Sequence, residues 1–470
     1  MEHKAPLLLS DEQMRKFITD GFLILKTDFS SEFHRHLLEQ LNYVYEHEGN
    51  PGNNLLPRIR ELQQVFDHPV VTGALTSVLG PDYMLHAHRH GHFNASAVAG
   101  GWHKDSYWGY QKMRNHHPWW AMIMYFPQDT SVEMGPTGVM PGTQNYETRT
   151  FISDENPEEA LVSGEAGTFA LIHYDIWHRS TPNVLGKERY MLKFEFMRTT
   201  APESPSWNNN EKQWSLPAGM QTPAIPQESM WEETWNWLSG QVGSMADTIE
   251  ADPECVQQLV VQLEDPSEPI ALNAAYELAR RGALGVEALL RGIQHEKVSV
   301  SRMAAYGLSI AGQEAVSGLT DALDSDRIET VVHAVFALGE LRGIASGAVS
   351  KLTGLLVHPS AKVRQAVVEA LGMIGEPIDE VVSGLIQSLQ DEDVQVRFTA
   401  GLSLSRVGAP AEAAIPQLQI ALDDENRYVR AHAVEALRYI GTEDAKDALI
   451  KHLFNSRWCS STTPQSTFYP

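Results

Sequence analysis

The chain of 470 residues has little cysteine, no long apolar run and no excess of positive charge. Cys255 and Cys459 are the only cysteines, too few for a disulfide framework or a thiolate metal site, and this fits a reducing compartment. No stretch approaches the roughly 20 apolar residues of a membrane-spanning helix. The apolar stretch near the N-terminus is also too short for a secretory signal. We therefore expect a cytoplasmic protein without a membrane span.

Positive charge is scarce throughout the chain. The 36 Lys and Arg residues are outnumbered by 60 Asp and Glu, which gives a net charge of −24, and both halves share this balance. Proteins that bind nucleic acid usually neutralise phosphates with a basic face. The acidic balance therefore argues against a nucleic-acid partner.

Length and histidine distribution divide the chain. A single hydrophobic core stops growing at roughly 250–300 residues, so this length predicts at least two domains. The composition, 43% apolar and 20% charged, is that of folded globular proteins rather than of disordered chains. Of the 19 histidines, 14 lie before residue 180. Imidazole-based chemistry is therefore expected in the first half.

The second half is a repeat. Segments such as VRQAVVEALGMIG, VRFTAGLSLSRVG and VRAHAVEALRYIG recur, and the six copies end at residues 282, 312, 342, 375, 408 and 441. Apolar residues at i, i+3, i+4, i+7 and i+8 from Val363 form one face of a helix. Glycine at the end of a copy can terminate this helix in the left-handed conformation, while Ser360 and Asp393 stand at N-cap positions. Each unit therefore predicts a helix, a stop and a second helix, stacked into a solenoid.

This repeated stretch, about residues 255–453, resembles the short HEAT-like repeats that are also found in phycobiliprotein lyases. We predict an α-solenoid at 251–454 and a disordered tail at 455–470. Such arrays act as scaffolds in many contexts, so the resemblance implies a possible protein partner without identifying one.

The first half predicts a helical layer followed by strands. Ser10 and Gln13 form a capping box before the helical pattern DEQMRKFITD. From Tyr83 onward, MLHAHRHGHFNASAV alternates in polarity, and WWAMIMYFP, GTFALIHYDIW and YMLKFEFMR read as buried strands between Gly- and Pro-rich turns. This order predicts a β-sandwich or jelly roll with an N-terminal helical layer, in a multidomain protein of α and β structure.

His103 and Asp105 have the spacing of a metal site. Residues i and i+2 of a strand point to the same face, so both side chains can reach one ion. A site of two histidines and one carboxylate, as in non-haem Fe(II) oxygenases, needs a second imidazole, and His178 is our candidate. Arg189 lies 11 residues further on and could hold a carboxylate in two-point contact. The pair at residues 173 and 175 also has ligand spacing, but its later histidine would lie inside the solenoid.

The motifs LSDEQMRKFITDGFLIL, WHKD, MGPTGVMPGTQ and IHYDIWHRSTPN, with the later arginine, are similar to those of the phytanoyl-CoA dioxygenase family over about residues 8–200. That resemblance implies an Fe(II)- and 2-oxoglutarate-dependent oxygenase that uses O2 to hydroxylate an organic substrate. It also implies iron ligation by His103, Asp105 and His178. Arg189 and Ser180 would bind the distal carboxylate of 2-oxoglutarate. These motifs do not identify the substrate, and the sequence shows no basic cluster of the kind that binds CoA.

Other residues near these motifs allow more than one interpretation. The aromatic residues nearest the first ligand, Trp102, Tyr107 and Trp108, could bound an organic substrate or simply fill the core. Alternation predicts that the histidines at 86, 88, 90 and 92 line one strand face, as a pocket wall, a hydrated face or a second metal site. Lys104 should point away from the ligands as a surface charge, and the histidines at 116 and 117 should lie in a loop.

The connector at 201–250 is rich in Pro, Asn and Trp, unlike a flexible linker. Trp231, Trp235 and Leu238, at i, i+4 and i+7, predict a helix that docks the solenoid onto an oxygenase domain at 1–200. Two alternatives to a small-molecule hydroxylase stay open. One is a non-catalytic scaffold that recruits a partner through the solenoid, and the other is a protein hydroxylase whose substrate binds there.

Overall fold

The computed structural model describes residues 5–105, 113–147, 159–223, 225–241, 245, 249 and 252–455. The chain divides into two compact units, Met1–Ile344 and Ala345–Pro470. The predicted domain boundaries at residues 200, 250 and 454 stay a prediction, and the predicted disordered tail lies outside the described residues except for its first one.

The strands of the first unit form two antiparallel sheets. They are β1 (Phe22–Lys26), β2 (Met84–Asn94), β3 (Trp120–Tyr125), β4 (Thr137–Val139), β5 (Ala160–Val162), β6 (Thr168–His173), β7 (His178–Ser180) and β8 (Arg189–Met197). The larger sheet has the order β1-β6-β3-β8-β2, and the smaller has the order β5-β4-β7. Every residue of β3, β6 and β8 is buried, because these central strands are covered on both faces. The predicted jelly roll is confirmed.

Short helices form the predicted N-terminal layer. They are α1 (Asp11–Asp20), α2 (Ser31–His47), α3 (Leu55–Arg58), α4 (Leu62–Phe66) and α5 (Pro69–Leu79), with a 3-10 turn at Gly52–Asn54. The capping box is present, since the Ser10 hydroxyl accepts the N–H of Gln13 while the Gln13 side chain accepts the N–H of Ser10. Helix α5 contacts β3 and β8 and so covers part of the larger sheet.

The connector contains the predicted docking helix, α6 (Glu228–Leu238). Trp231, Trp235 and Leu238 are all buried. The helix contacts α1 of the helical layer and α8, the second helix of the repeat region. Its role in docking the two regions stays a prediction.

The described residues from 252 to 455 form helical repeats. The first unit contains α7 (Pro253–Leu263), α8 (Glu268–Ala279), α9 (Gly282–Ile293), α10 (Val298–Leu308), α11 (Gln313–Ala322) and α12 (Ile328–Leu341). The second contains α13 (Val349–Gly354), α14 (Ala361–Ile374), α15 (Ile378–Ser388), α16 (Val394–Val407), α17 (Ile415–Ala421), α18 (Arg427–Ile440) and α19 (Glu443–Asn455), and 3-10 turns lie at Arg342–Ala348, Leu355–Val357 and Ala409–Ala414. Among the helices described, none is long and apolar enough to cross a membrane.

The helix ends follow the repeat pattern closely. Gly375 and Gly441 end α14 and α18 in the left-handed conformation. The Asp393 side chain caps α16, whereas Ser360 stands at the N-cap of α14 without a side-chain cap bond. Arg342 takes the stop position of the third copy with a φ of 54°, and it is the one residue other than glycine with positive φ in the described part of the chain.

Candidate active site

The three predicted ligands meet between the two sheets. His103 forms an isolated bridge with His178 at the start of β7, with N–H to carbonyl bonds of 3.0 Å in both directions. One ligand atom of each of His103, Asp105 and His178 lies within 4.8 Å of the others. Nε2 of His178 lies 3.2 Å from Oδ2 of Asp105, and Nε2 of His103 lies 4.0 Å from Oδ1. This geometry suits a single small cation.

Backbone carbonyls orient both imidazoles. Nδ1 of His103 donates to the carbonyl of Gly101 at 3.0 Å, and Nδ1 of His178 donates to that of Ile176 at 3.1 Å. A carbonyl can only accept, so each Nδ1 carries a proton, and Nε2 is the ring nitrogen that faces the carboxylate of Asp105. A histidine that binds a metal commonly donates its other N–H in this way.

Asp105 is a buried carboxylate with two cationic or polar neighbours. Burial alone would raise its pKa, but the His178 imidazole and the Lys193 ammonium outweigh burial and hold the pKa of Asp105 well below its usual range. Nζ of Lys193 lies 3.0 Å from Oδ2. The carboxylate is therefore ionised, as a metal ligand must be.

A cavity of about 160 Å³ is lined by two of the predicted ligands, His103 and His178. Strand β8 supplies Arg189, Met191 and Lys193, which alternate along one face of the strand. The other lining residues are His92, Phe93, Asn94, His103, Met124, Thr137, His178, Arg179 and Ser180.

Arg189 is buried at this cavity with unused hydrogen-bonding capacity. Its side chain is 1% exposed, and Nη2 donates to the carbonyl of Gly135 at 2.7 Å. Nε and Nη1 have no hydrogen-bond partner, and no ion pair with Glu188 or Glu195 is found among the described residues. Burial lowers the pKa of Arg189 to about 10, which still leaves the guanidinium charged at neutral pH. Two buried, charged donors without partners are costly unless an anion binds them.

Ser180 lines the same cavity, and its hydroxyl accepts the N–H of Gly100 at 3.2 Å, which leaves the hydroxyl proton to be donated to a ligand. Trp102 lies outside the cavity lining, with its ring 4.6 Å from the guanidinium carbon of Arg179. Of the predicted substrate residues, Tyr107 and Trp108 lie outside the described residues.

The four alternating histidines do not share one environment. A register shift between Leu85 and Arg89 interrupts the pairing of β2 with β8. His86 is fully buried, with Nδ1 3.4 Å from Oε2 of Glu195. His92 lines the cavity, and burial together with the Lys193 charge lowers its pKa to about 3, so it is neutral. The pocket-wall interpretation therefore holds for His92 and not for His86.

The alternative ligand pair is used differently. Asp175 forms an ion pair with Arg114 at 2.7 Å, and His173 lines a separate small cavity together with His116. Burial lowers the pKa of His173 to about 4, so this imidazole is neutral. In the described residues no third His, Cys, Asp or Glu joins the pair as a ligand group.

One prediction about a neighbouring residue needs correction, and another is confirmed. Lys104 does point away from the ligands but is no surface charge, because its ammonium donates to the carbonyls of Thr143, at 2.8 Å, and Asp175. Burial and the Arg114 charge lower the pKa of Lys104 to about 7. His117 lies in a bend, as predicted, but is buried between two carboxylates.

Lys193 and Arg114 are site-supporting residues that sequence reasoning missed. A signal existed for Lys193, since it falls on the same strand face as Arg189, four residues on, within a run that otherwise reads as buried. A buried lysine in a central strand calls for an anionic partner. Arg114 carried no such signal, because it lies in a loop.

Comparison with known families matches the phytanoyl-CoA dioxygenase (PhyH) model to residues 37–191. The HEAT repeat model matches residues 318–383 and 382–458. The chain carries a phytanoyl-CoA dioxygenase domain followed by HEAT repeats. Domains of this family depend on Fe(II), 2-oxoglutarate and O2. The donor set of two imidazoles and one carboxylate fits iron, and the unpaired donors of Arg189 beside it fit a dicarboxylate.

Solved structures give weak matches to each part of the chain. The non-heme alpha ketoglutarate dependent carbocyclase SnoK from nogalamycin biosynthesis is 16% identical, over 42% of this chain and 88% of that one, with a TM-score of 0.34. HygX from Streptomyces hygroscopicus, with nickel and 2-oxoglutarate bound, is 14% identical over 41% and 88%, with a TM-score of 0.33. A designed armadillo repeat protein in complex with a peptide is 22% identical over 40% and 99%, with a TM-score of 0.30. No curated protein matches the chain.

Proposed function

We propose that this chain is an Fe(II)- and 2-oxoglutarate-dependent dioxygenase that hydroxylates an organic substrate. In this proposal His103, Asp105 and His178 hold the metal, and Arg189 and Ser180 hold the distal carboxylate of 2-oxoglutarate. Trp102, Tyr107 and Trp108 are proposed to bound the substrate. The proposed organisation keeps the oxygenase at 1–200, the connector at 201–250 and the solenoid at 251–454.

The observation that carries the proposal is the pairing of an anionic ligand cluster with a buried cation in one cavity. The cluster offers two imidazole nitrogens and an ionised carboxylate. The Arg189 guanidinium offers two buried donor nitrogens, Nε and Nη1, for which the described part of the chain provides no acceptor. A scaffold that had lost catalysis would gain nothing from keeping an unpaired buried charge, which costs stability.

The chain's own residues have clear tasks in such a reaction. Bound iron would supply a centre at which O2 is activated while 2-oxoglutarate is oxidatively decarboxylated to succinate and CO2. Arg189 fixes the co-substrate through paired N–H bonds, and the Ser180 hydroxyl adds a third. The buried walls from Met124 and Met191 exclude water from the reacting end. Positioning of this kind converts encounters between reactants into an intramolecular step.

The substrate class and the role of the repeats belong to the same proposal. We assign a small organic molecule as substrate and a protein partner to the solenoid. The alternative is a protein hydroxylase whose substrate binds the repeats. In that case no small molecule of a substrate screen would be turned over, and succinate would form only when a protein substrate is added.

An anaerobic titration of the full chain tests the proposal. Metal-free protein receives Fe(II) and then 2-oxoglutarate, and the visible charge-transfer band of the chelate is recorded. We expect His178→Ala to abolish the band. Arg189→Gln should raise the 2-oxoglutarate concentration needed by about 100-fold, since charged hydrogen bonds contribute about 1.5–3 kcal/mol each. Arg179→Gln is the matched control, because Arg179 lines the cavity but is already paired with Glu159. If the folded wild-type protein showed no band, the proposed oxygenase would be excluded and the non-catalytic scaffold would be the alternative that remains.

A further inference from the structure

Two chain segments carry the proposed metal ligands, and direct bonds join them. Residues 101–105 contribute two ligands, and residues 173–178 lead into the third. The Lys104 ammonium donates to the carbonyl of Asp175, and the Tyr174 hydroxyl donates to the carbonyl of Asp105 at 2.8 Å. With the two bridge bonds between His103 and His178, these contacts fix the separation of the ligands.

A buried arginine continues this network away from the cavity. Arg114 is 7% exposed, and its guanidinium donates to the carboxylates of Asp175 and Glu147, both at 2.7 Å. It therefore holds the turn before His178 through Asp175. Because the guanidinium is planar and bonded at two ends, the direction of its Asp175 bond depends on where the Arg114 backbone lies.

Repeat helices hold that backbone. The Tyr306 hydroxyl on α10 accepts the N–H of Arg114 at 2.8 Å. The Tyr276 hydroxyl on α8 bonds Nδ1 of His116 at 2.9 Å, and the Glu340 carboxylate on α12 accepts from the Asn115 amide at 2.8 Å. All three side chains belong to the first compact unit, together with the proposed metal site. Their partners are the consecutive residues 114–116, which lie between the segment 101–105 and the start of β3.

We propose that Tyr306 is a positioning residue for the metal centre, acting from the repeat region through Arg114 and Asp175 on the turn that presents His178. The inference rests on the proposed function, because it takes His103, Asp105 and His178 as the ligands. It gives the first repeats a task within the oxygenase itself, beyond binding a partner. A jelly roll without these repeats would lack the acceptor that fixes the Arg114 backbone.

The physical basis is the accuracy that a metal site demands. Ligands must be held within about 0.5 Å of their working geometry, and residues behind them do this. Removal of such a supporting residue commonly costs about 10- to 100-fold in metal affinity. Tyr306 acts through two further residues, so we expect an effect at the lower end of that range.

Co(II) binding by the full-length, metal-free protein tests the inference. Tyr306→Phe keeps the ring, which is 2% exposed, and removes the hydroxyl that accepts the Arg114 N–H. We expect its Kd for Co(II) to rise about 10-fold, with a changed visible absorption spectrum of the bound ion, because the ligands are less well held. Tyr276→Phe, which loosens the neighbouring His116, should have a smaller effect in the same direction.

Tyr125→Phe is the matched control. Tyr125 is 1% exposed in β3, and its hydroxyl bonds Nε2 of His34 at 2.8 Å, away from the Arg114 network. Both variants lose one buried hydroxyl and should lower Tm to a similar extent. An equal Kd for Co(II) in Tyr306→Phe and Tyr125→Phe would overturn the inference. If the wild-type protein bound no Co(II), or if His178→Ala bound it equally well, the proposed function itself would fail instead.

Discussion

The carboxylate of Asp105 and the ammonium of Lys193 form a buried ion pair, with Nζ 3.0 Å from Oδ2 and side chains 9% and 5% exposed. The same oxygen lies 3.2 Å from Nε2 of His178. Lys193 thus stands behind the proposed metal site and balances the charge of its carboxylate. A divalent ion in the site would supply the same compensation from the other side.

Lys193→Met should therefore destabilise the metal-free protein far more than the metal-loaded one. Loss of one partner of a buried ion pair typically costs about 3–5 kcal/mol, because the other charge stays buried without compensation. Tm measured with and without Co(II) checks this, and Co(II) should raise Tm more in the variant than in the wild type. Lys26→Met breaks the exposed pair with Glu165 and should cost under about 1 kcal/mol. An equal loss with and without Co(II) would contradict the charge-compensation account.

The proposed ligand residues could be picked out because residue spacing and family motifs are local properties of the sequence. His103 forms an isolated bridge rather than part of a strand, yet the spacing of two residues still brings it together with Asp105, and family motifs supplied His178 and Arg189. The same rule sent Lys104 to the opposite face correctly. Residue spacing could not reveal that the Lys104 ammonium donates to the carbonyls of Thr143 and Asp175, because these residues are distant in the sequence.

The contacts between the oxygenase and the repeats lay beyond sequence reasoning for a related reason. The bond from Arg114 to Tyr306 joins residues 192 apart, and the bond from His117 to Glu340 joins residues 223 apart. A tyrosine on a repeat helix normally packs in the repeat core, and nothing local marks its hydroxyl as an acceptor for another domain. The helix of the connector was predictable because three apolar residues at i, i+4 and i+7 share one helical face.

Arg342 occupies a backbone conformation that the repeats otherwise give to glycine. Its φ and ψ of 54° and −135° resemble those of Gly312, at 74° and −150°, and Gly408, at 67° and −140°. Its guanidinium carbon lies 5.5 Å from the centre of the Trp237 ring. A side chain in such a conformation costs about 1–3 kcal/mol.

Arg342→Gly should consequently be more stable than Arg342→Ala by about 1 kcal/mol, because relief of backbone strain exceeds the entropic cost of glycine, about 0.5–1 kcal/mol. Urea unfolding of both variants measures the difference. Arg291, exposed within α9, is the matched control, and there alanine should be the more stable replacement by about 1 kcal/mol. The same order at both positions would rule out strain at Arg342.

His117 should make the protein less stable at alkaline pH. Nε2 lies 2.9 Å from Glu233, Nδ1 lies 3.0 Å from Glu340, and the ring stacks on Trp237 at 4.3 Å. Burial lowers the pKa of His117, but the two carboxylates outweigh it and raise the pKa to about 9. Because the folded pKa exceeds the ordinary value of 6.5, this stabilisation is complete below pH 6.5 and is lost as the pH rises through about 9.

The size of this pH effect is on the order of 3 kcal/mol. Urea midpoints measured across this range test it, with His117→Gln compared with the wild type at each pH so that other titrating groups cancel. We expect the difference between the two proteins to be largest below pH 6.5, to shrink as the pH rises from 6.5 to about 9, and to be smallest above that. A difference that stays constant across this range would mean that His117 is uncharged in the folded protein.

Trp235 should be the residue on which the docking of the connector depends most. It is fully buried on α6, its ring centre lies 5.0 Å from that of Trp207, and the Arg15 guanidinium lies 4.9 Å above it. Trp235→Ala should cost about 3–5 kcal/mol, because the cavity adds to the lost burial.

This loss should also open the connector to proteases, since α6 contacts both α1 and α8. Urea unfolding and limited proteolysis of the full chain measure the two effects. Tyr43→Ala, at a position 57% exposed, removes another aromatic ring and should change stability by about 0.5 kcal/mol or less. Rapid cleavage of the wild-type chain within residues 225–241 into separately stable parts would show that α6 does not join the oxygenase to its first repeats.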